Sequence, residues 1–312
     1  MQNYIKNLLL GVAVGDAIGV PAEFRSRESL SFRPIADITG YGSHHQPPGT
    51  WSDDTSLTLA LADGLLQSFD LQHIANNFTA WYYDSKFTAH NNVFDVGIAT
   101  RNAIYNIKQG TSPTLTGGTN DYDNGNGSLM RILPLLIFIK DKPIHERYEY
   151  THLVSAITHG HVRSVMACFY YLEFARQLLQ GKDKFSIYKD LQSEISIFFE
   201  EKNIAKSEIA LFKRLLKENI YEFPDTMIHS SGYVLHSLEA SIWCLLTTNS
   251  YQNAILDAVN LGEDTDTTAA ITGGLAGLLY GVENIPAHWL LALAKCTYIE
   301  DLAAQLFQKF EQ

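Results

Sequence analysis

The chain is short of cysteine, of basic residues and of long apolar runs, and each shortage excludes something. Three cysteines in 312 residues, Cys168, Cys244 and Cys296, are too few and too widely spaced for a disulfide framework or a zinc-ligand pattern. Reduced thiols are the expected state. Lysine plus arginine number 23 against 34 acids, a formal net charge of −11 that offers no electrostatic reason to bind nucleic acid. No apolar run reads as reaching the roughly 18 to 20 residues needed to span a membrane. The best candidate, Ala269 to Tyr280, is too short. Leu8 to Val14 follows Lys6 and loosely mimics a signal peptide, but Asp16 interrupts it and no small-residue cleavage site precedes Pro21 and Glu23. A cytoplasmic protein with no membrane or nucleic-acid partner is expected. Alternating β-branched runs bounded by tight turns are also largely missing, which argues against sheets.

What is present is a helical period in an apolar-rich chain. Apolar residues make up 46 %, enough to bury a sizeable core. Tyr188, Leu191, Ile195, Phe198 and Phe199 fall on one helical face, and so do Ile209, Phe212, Leu216 and Ile220. Leu57 to Leu66 is apolar nearly all round, the pattern of a buried helix. Val154 to Leu179 and Leu235 to Leu246 also read as helices. Ile132 to Ile139, with Pro134 near its start, reads as a buried helix as well. Ser26 to Gly49 and Thr111 to Gly127 are the long irregular segments. No composition break divides the chain, so one compact all-α domain over 1–312 is expected, with 181–224 as a peripheral helical pair.

The acids gather in two places: Gly49-Thr-Trp-Ser-Asp-Asp-Thr55 and Gly262-Glu-Asp-Thr-Asp-Thr-Thr268. Each leads into a strongly apolar helix. Neighbouring residues on a regular helix point about 100° apart, so Asp264 and Asp266 can converge only from the irregular turn before it. Two explanations fit. Helix capping needs one Ser or Asp, with a second acid at most. A hard-metal site uses carboxylate and hydroxyl oxygens together, and it explains why Asp53, Asp54, Asp264 and Asp266 recur as pairs. Two divalent cations would relieve the repulsion among them. An EF-hand is excluded, because the D-x-[DN]-x-[DN]-G run and its closing Glu are missing.

Other segments have the shape of ligand loops. Gly125-Asn-Gly-Ser-Leu-Met-Arg131 can offer backbone N–H groups to a phosphate, or can be a plain turn. Thr158-His-Gly-His161 opens or interrupts a helix, and Ser230-Ser-Gly-Tyr-Val234 precedes one. Glu23 sits at the edge of the first irregular segment, where a mobile lid would lie.

Taken in order, these motifs resemble the ADP-ribosylglycohydrolase family. The matching stretches are Gly11 to Gly19, Pro21-Ala-Glu-Phe24, Trp51 to Thr55, Gly125 to Arg131, Thr158-His159, Ser231-Gly-Tyr233 and Gly262 to Ala269. They span nearly the whole chain. The resemblance implies an all-α orthogonal helical bundle with a dinuclear site for two Mg²⁺ (Mn²⁺ as the alternative). It also implies hydrolysis of the bond between ADP-ribose and a modified side chain. It places Ser52, Asp53, Asp54, Asp264, Asp266 and Thr267 as metal ligands. Asp54, Asp264 and Glu23 become the candidates for catalysis. Gly125, Asn126, Gly127, Ser128, Met130, Arg131 and His159 fall near the diphosphate, and Gly232 and Tyr233 on the adenosine side. Family members often have Gly where Glu263 stands, a departure that leaves the ligand positions intact. A monomer is implied by default.

The expected reaction is removal of ADP-ribose from an ADP-ribosylated protein, with arginine N-linkage preferred over an O-linkage to serine or a metabolite. A catalytically silent ADP-ribose-binding relative is the contrasting possibility. Two divalent cations would bring the formal charge from −11 to about −7.

Overall fold

A buried pair of helices, from opposite ends of the sequence, sets the architecture. The computed structural model describes residues 3–311. Helix Tyr4–Gly19 packs along its length against helix Thr265–Tyr280. Glycine permits this approach: a Cβ on Gly11 would stand 2.3 Å from the Gly273 carbonyl oxygen. A Cβ on Gly19 would stand 2.3 Å from Asp266 Cα. The Thr265 hydroxyl donates to the Gly19 carbonyl at 2.8 Å, which fixes the register at the end that carries the acids. The Asp53–Gly64 helix packs beside this pair, and helices Val162–Leu179, Val234–Thr247, Tyr251–Asn260 and Cys296–Glu311 surround it. The fold is all-α: the described residues contain no strand, only isolated bridges between Gly118 and His159 and between Gly125 and Tyr233.

Several expectations are corrected. The stretch Tyr4–Ala22 is long and apolar enough to cross a membrane by length and composition, contrary to the reading that no stretch is. Asp16 does not interrupt it, because its carboxylate is fully buried and bonded to the neighbouring helix. Here the helix is the buried centre of the bundle. Val154 to Leu179 is two helices, Ile144–Ser155 and Val162–Leu179, parted by the turn that carries His159. The 181–224 stretch is not a regular pair. Lys184–Glu201 is one long helix, capped by the Asp183 carboxylate on the Phe185 and Ser186 N–H groups. Its partner breaks into Lys206–Leu211 and Lys213–Leu216, because the buried Phe212 between them leaves helical geometry. The 132–139 helix shrinks to Leu135–Ile139, starting just after Pro134. The first irregular segment contains a short helix, Arg27–Phe32, capped by Ser26.

Candidate active site

Two helix N-termini and three loops meet at one cleft of about 300 Å³. The Asp53–Gly64 helix brings Asp53 to the wall and Asp54 below it. Ser52 caps this helix, accepting from the Asp54 N–H at 3.3 Å, so the capping explanation holds for that residue. It does not account for the rest. Asp264 stands at the cap position of Thr265–Tyr280, yet its Oδ2 accepts from the Asn126 side-chain amide at 2.7 Å, across the cleft wall. Asp54 Oδ2 accepts from the Ser52 hydroxyl at 3.0 Å and the Thr267 hydroxyl at 3.2 Å. Asp54 Oδ1 and Asp266 Oδ2 are buried with no hydrogen-bond partner. A buried carboxylate oxygen without a partner is costly in a folded protein. Ser52, Asp53, Asp54, Asp264, Asp266 and Thr267 thus form a set of hard oxygen donors with unmet capacity at its centre. That donor set fits divalent cations of the Mg²⁺ or Mn²⁺ kind.

Electrostatics show the same deficit. Burial, before any other cause, raises the Asp53, Asp54, Asp264 and Asp266 carboxyls above the ordinary range. Neighbouring carboxylates push Asp53, Asp54 and Asp266 further up. Glu23, also buried, is pushed up to about 7 by desolvation, against a lowering contact from His44. Its carboxylate touches His44 Nε2, and that contact raises the imidazole in turn.

Three site residues escaped the reading of the sequence. Asp16 accepts from the Thr55 hydroxyl at 2.6 Å and the Ser52 and Thr55 N–H groups at 2.9 Å, so it anchors the first acidic turn from beneath. A lone acid inside an apolar helix was its signal. Asp95 lies with Glu23, His44 and Asp266, their ligand atoms all within 4.8 Å of one another. Both His44 and Asp95 arrive from loops, and no local pattern marks either.

The 125–131 loop completes the cleft beside Asp264, joined to the 230–234 loop by Asn126 N–H on the Gly232 carbonyl at 3.0 Å. Gly125, Asn126, Gly127, Met130, His159 and Gly232 line the cleft. Tyr233 lies in an adjoining pocket with Asp121, Tyr122 and Asn124. His159 is buried and its pKa is pushed down to about 3, by desolvation first and the Arg131 charge second, so its ring is neutral. Two expected ligand residues do not line the cleft. Ser128 is buried behind it, accepting from the Ser155 hydroxyl at 3.0 Å. Arg131 is fully buried, donating to the Thr158 hydroxyl at 2.7 Å and lying over the Phe78 ring at 4.6 Å. Its guanidinium is spent on holding the loop to the 156–161 turn. Among the described residues, no lysine or arginine lines the cleft.

An all-α scaffold that gathers buried carboxylates beside a glycine-rich loop belongs, by its family, to the hydrolases of glycosidic bonds. The comparisons fix the member: the family model for ADP-ribosylglycohydrolase matches residues 1–312, and the chain belongs to that family. It is 33 % identical over 308 residues to the ADP-ribosylarginine hydrolase Tri1 of Serratia proteamaculans, covering 97 % of this chain and 78 % of that one. It is 28 % identical to the ADP-ribosyl-[dinitrogen reductase] glycohydrolase of Rhodospirillum rubrum, covering 91 % and 88 %. A solved structure, an ADP-ribosylglycohydrolase-related protein complex, superposes with a TM-score of 0.81 at 29 % identity over 98 % of both chains.

Proposed function

We propose that this hydrolase releases ADP-ribose from arginine side chains of modified proteins and depends on two divalent cations, Mg²⁺ before Mn²⁺. The observation that carries the reading is the pair of partnerless buried oxygens, Asp54 Oδ1 and Asp266 Oδ2, on residues that lie behind the cleft lining, Asp54 bonded to Thr267 and Asp266 grouped with Glu23 and Asp95. Ser52, Asp53, Asp54, Asp264, Asp266 and Thr267 would hold the cations. Bound there, they would supply Lewis-acid polarisation and make water a nucleophile at neutral pH. The arginine linkage is favoured by the acid walls, which suit a cationic acceptor, and by the 33 % identity to ADP-ribosylarginine hydrolases.

The chain's own residues divide the work. The Gly127 N–H donates to no backbone carbonyl among the described residues and Gly127 lines the cleft beside the neutral His159, where it can meet a diphosphate. The bond from ribose C1″ to the guanidine nitrogen breaks with oxocarbenium character, as in other glycoside hydrolysis. Water adds at C1″ and gives its proton to a carboxylate, Asp54 or Asp264. The leaving guanidine takes up a proton. Asp264 is oriented by Asn126, which also donates to the Ser237 hydroxyl at 2.8 Å. Glu23 orients the ribose or serves as the acid/base, its raised pKa keeping a proton available near neutrality.

The test incubates the protein with Mg²⁺, Mn²⁺ or chelator and with matched proteins ADP-ribosylated on arginine or on serine. The reading expects release from arginine, lost on chelation. Release from serine alone would replace the linkage. Release from neither, with ADP-ribose still bound, would make the chain a silent binding relative.

A further inference from the structure

The residue after Glu23 is out of place by ordinary rules. Phe24 is 72 % exposed although it lies at the mouth of the cleft. Its backbone has φ of 64°, the left-handed region that bulky L-residues avoid. That conformation is pinned from both sides. The Phe24 N–H donates to the Glu263 carbonyl at 2.7 Å, and the Glu263 N–H donates to the Arg25 carbonyl at 2.8 Å. Glu263, itself at φ of 60°, precedes Asp264. The turn that bears Glu23 is therefore clamped to the turn that bears Asp264, and the clamp throws the Phe24 ring outward.

The ring serves no core. Its one aromatic neighbour is His44, with centroids 5.8 Å apart, and His44 leans in turn on Phe94 at 5.1 Å. Around the ring the cleft wall carries Glu23, Asp53 and Asp95, and no lysine or arginine among the described residues. An exposed aromatic face beside Asp95, a cleft-wall carboxylate given to neither the cations nor His44, is the pair of features that recognises a planar delocalised cation. The face attracts the cation by its quadrupole, and the acid holds its N–H edge. The position matches as well. The 125–131 loop opens at Gly125 onto the adjoining pocket of Tyr233, which neither Glu23 nor Phe24 lines, so with a diphosphate on that loop and adenosine in that pocket the acceptor would leave toward Glu23.

We infer that Phe24 is the acceptor platform of this enzyme, its ring stacking on the guanidinium of the ADP-ribosylated arginine while Asp95 takes its N–H groups. The inference rests on the arginine reading above and goes further by naming the residue that sets it. It makes Phe24 a specificity-determining residue, one that acts on the acceptor and leaves the ADP-ribose half alone.

The experiment compares wild type with Phe24→Tyr, Phe24→Leu, Phe24→Ala and Phe24→Gly. It measures KM for an arginine-ADP-ribosylated protein, the Kd for free ADP-ribose, and the melting temperature. Loss of a cation–π contact corresponds to about three- to thirtyfold in binding. Tyr is expected to keep the wild-type KM, while Leu, Ala and Gly raise it within that range. The Kd for ADP-ribose is expected to move less than about twofold, since the ring sits on the acceptor side. Phe24→Gly relaxes the left-handed backbone, so its melting temperature should equal or exceed that of wild type while its KM still rises. An unchanged KM in Ala would overturn the platform, as would a Leu variant indistinguishable from wild type or a parallel loss of ADP-ribose affinity. A lowered melting temperature in Gly would mark the ring as structural and overturn it too. If wild type itself cleaves only the serine linkage, the arginine reading fails and takes the platform with it, a result visible without any variant.

Discussion

Two buried clusters of charge lie in this molecule, and they are built to opposite rules. Between helices Ile144–Ser155 and Val162–Leu179, Glu173 takes Arg147 Nε at 2.5 Å and Nη2 at 2.7 Å, with Arg176 Nε at 3.1 Å. Each acid oxygen there has a cationic donor, and all three residues sit within regular helix. In the cleft and beneath it, Asp16, Glu23, Asp53, Asp54, Asp95, Asp264 and Asp266 gather with a histidine at Glu23, two carboxylate oxygens go unpartnered, and Asp95 and Glu263 adopt left-handed backbone. The first cluster is complete by itself. The second is complete only with something added, and that is what separates a structural network from a site.

The largest effect that sharpens this contrast is at Asp54. Asp54→Asn keeps the shape and removes a repelled charge. Turnover should fall by at least about a thousandfold, as expected where a transition-state stabiliser is lost. The metal-free melting temperature should hold or rise, and stabilisation by Mg²⁺ should vanish. Retained stabilisation by Mg²⁺ would break the comparison. The mirror experiment is Glu173→Ala, which strands Arg147 in the core. A loss of about 3–5 kcal/mol is expected from denaturant unfolding, the same with and without Mg²⁺. A metal-dependent loss there would mean that the two clusters are coupled.

The residues of the cleft also show how much of the site is legible in the sequence. Asp53, Asp54, Asp264 and Asp266 are legible because each pair falls within three residues and leads into an apolar helix. The helices at 57–66, 188–199 and 235–246 are legible for the same local reason, an unbroken period. Asp95 and His44 are not, since each reaches the site from a loop whose course is set by contacts distant in sequence. Arg131 misled in the other direction. A cation in a glycine-rich loop reads as a phosphate ligand, but its donors are turned inward onto Thr158 and the Val154 carbonyl. The break at 156–161 was half-visible, in the His-Gly-His that interrupts an otherwise helical pattern.

A smaller effect is the pH dependence of stability without metal. The folded-state pKa rises to about 6 for Asp16 and about 7 for Glu23, chiefly by desolvation, above unfolded values near 4. A carboxyl raised by folding favours the folded state at low pH, and that contribution is lost as pH climbs through the folded pKa. The His44 imidazole, raised by its contact with Glu23, has the same sign. Metal-free protein should therefore lose several degrees of melting temperature between about pH 5 and 8, and Mg²⁺ at pH 8 should restore them. A flat metal-free profile would break the claim that the cleft is in charge deficit.

The smallest effect concerns the backbone of the clamp. Glu263 is held at φ of 60°, where an L-residue with a Cβ is strained by about 1–2 kcal/mol. Glycine there relieves that strain but adds about 0.5–1 kcal/mol of unfolded-state freedom. Glu263→Gly should therefore stabilise the protein by about 0–1.5 kcal/mol, a rise in melting temperature of a few degrees at most. The carbonyl that accepts from Phe24 belongs to the main chain, so the clamp survives the change and KM for the modified protein should stay within about twofold. The comparison is sharpened because relief is expected only where strain is stored. No residue of the Arg147–Glu173–Arg176 network has a positive φ, so glycine substitution there can only destabilise. A Glu263→Gly variant that is less stable would mean that its side chain, not the turn, secures this edge of the cleft.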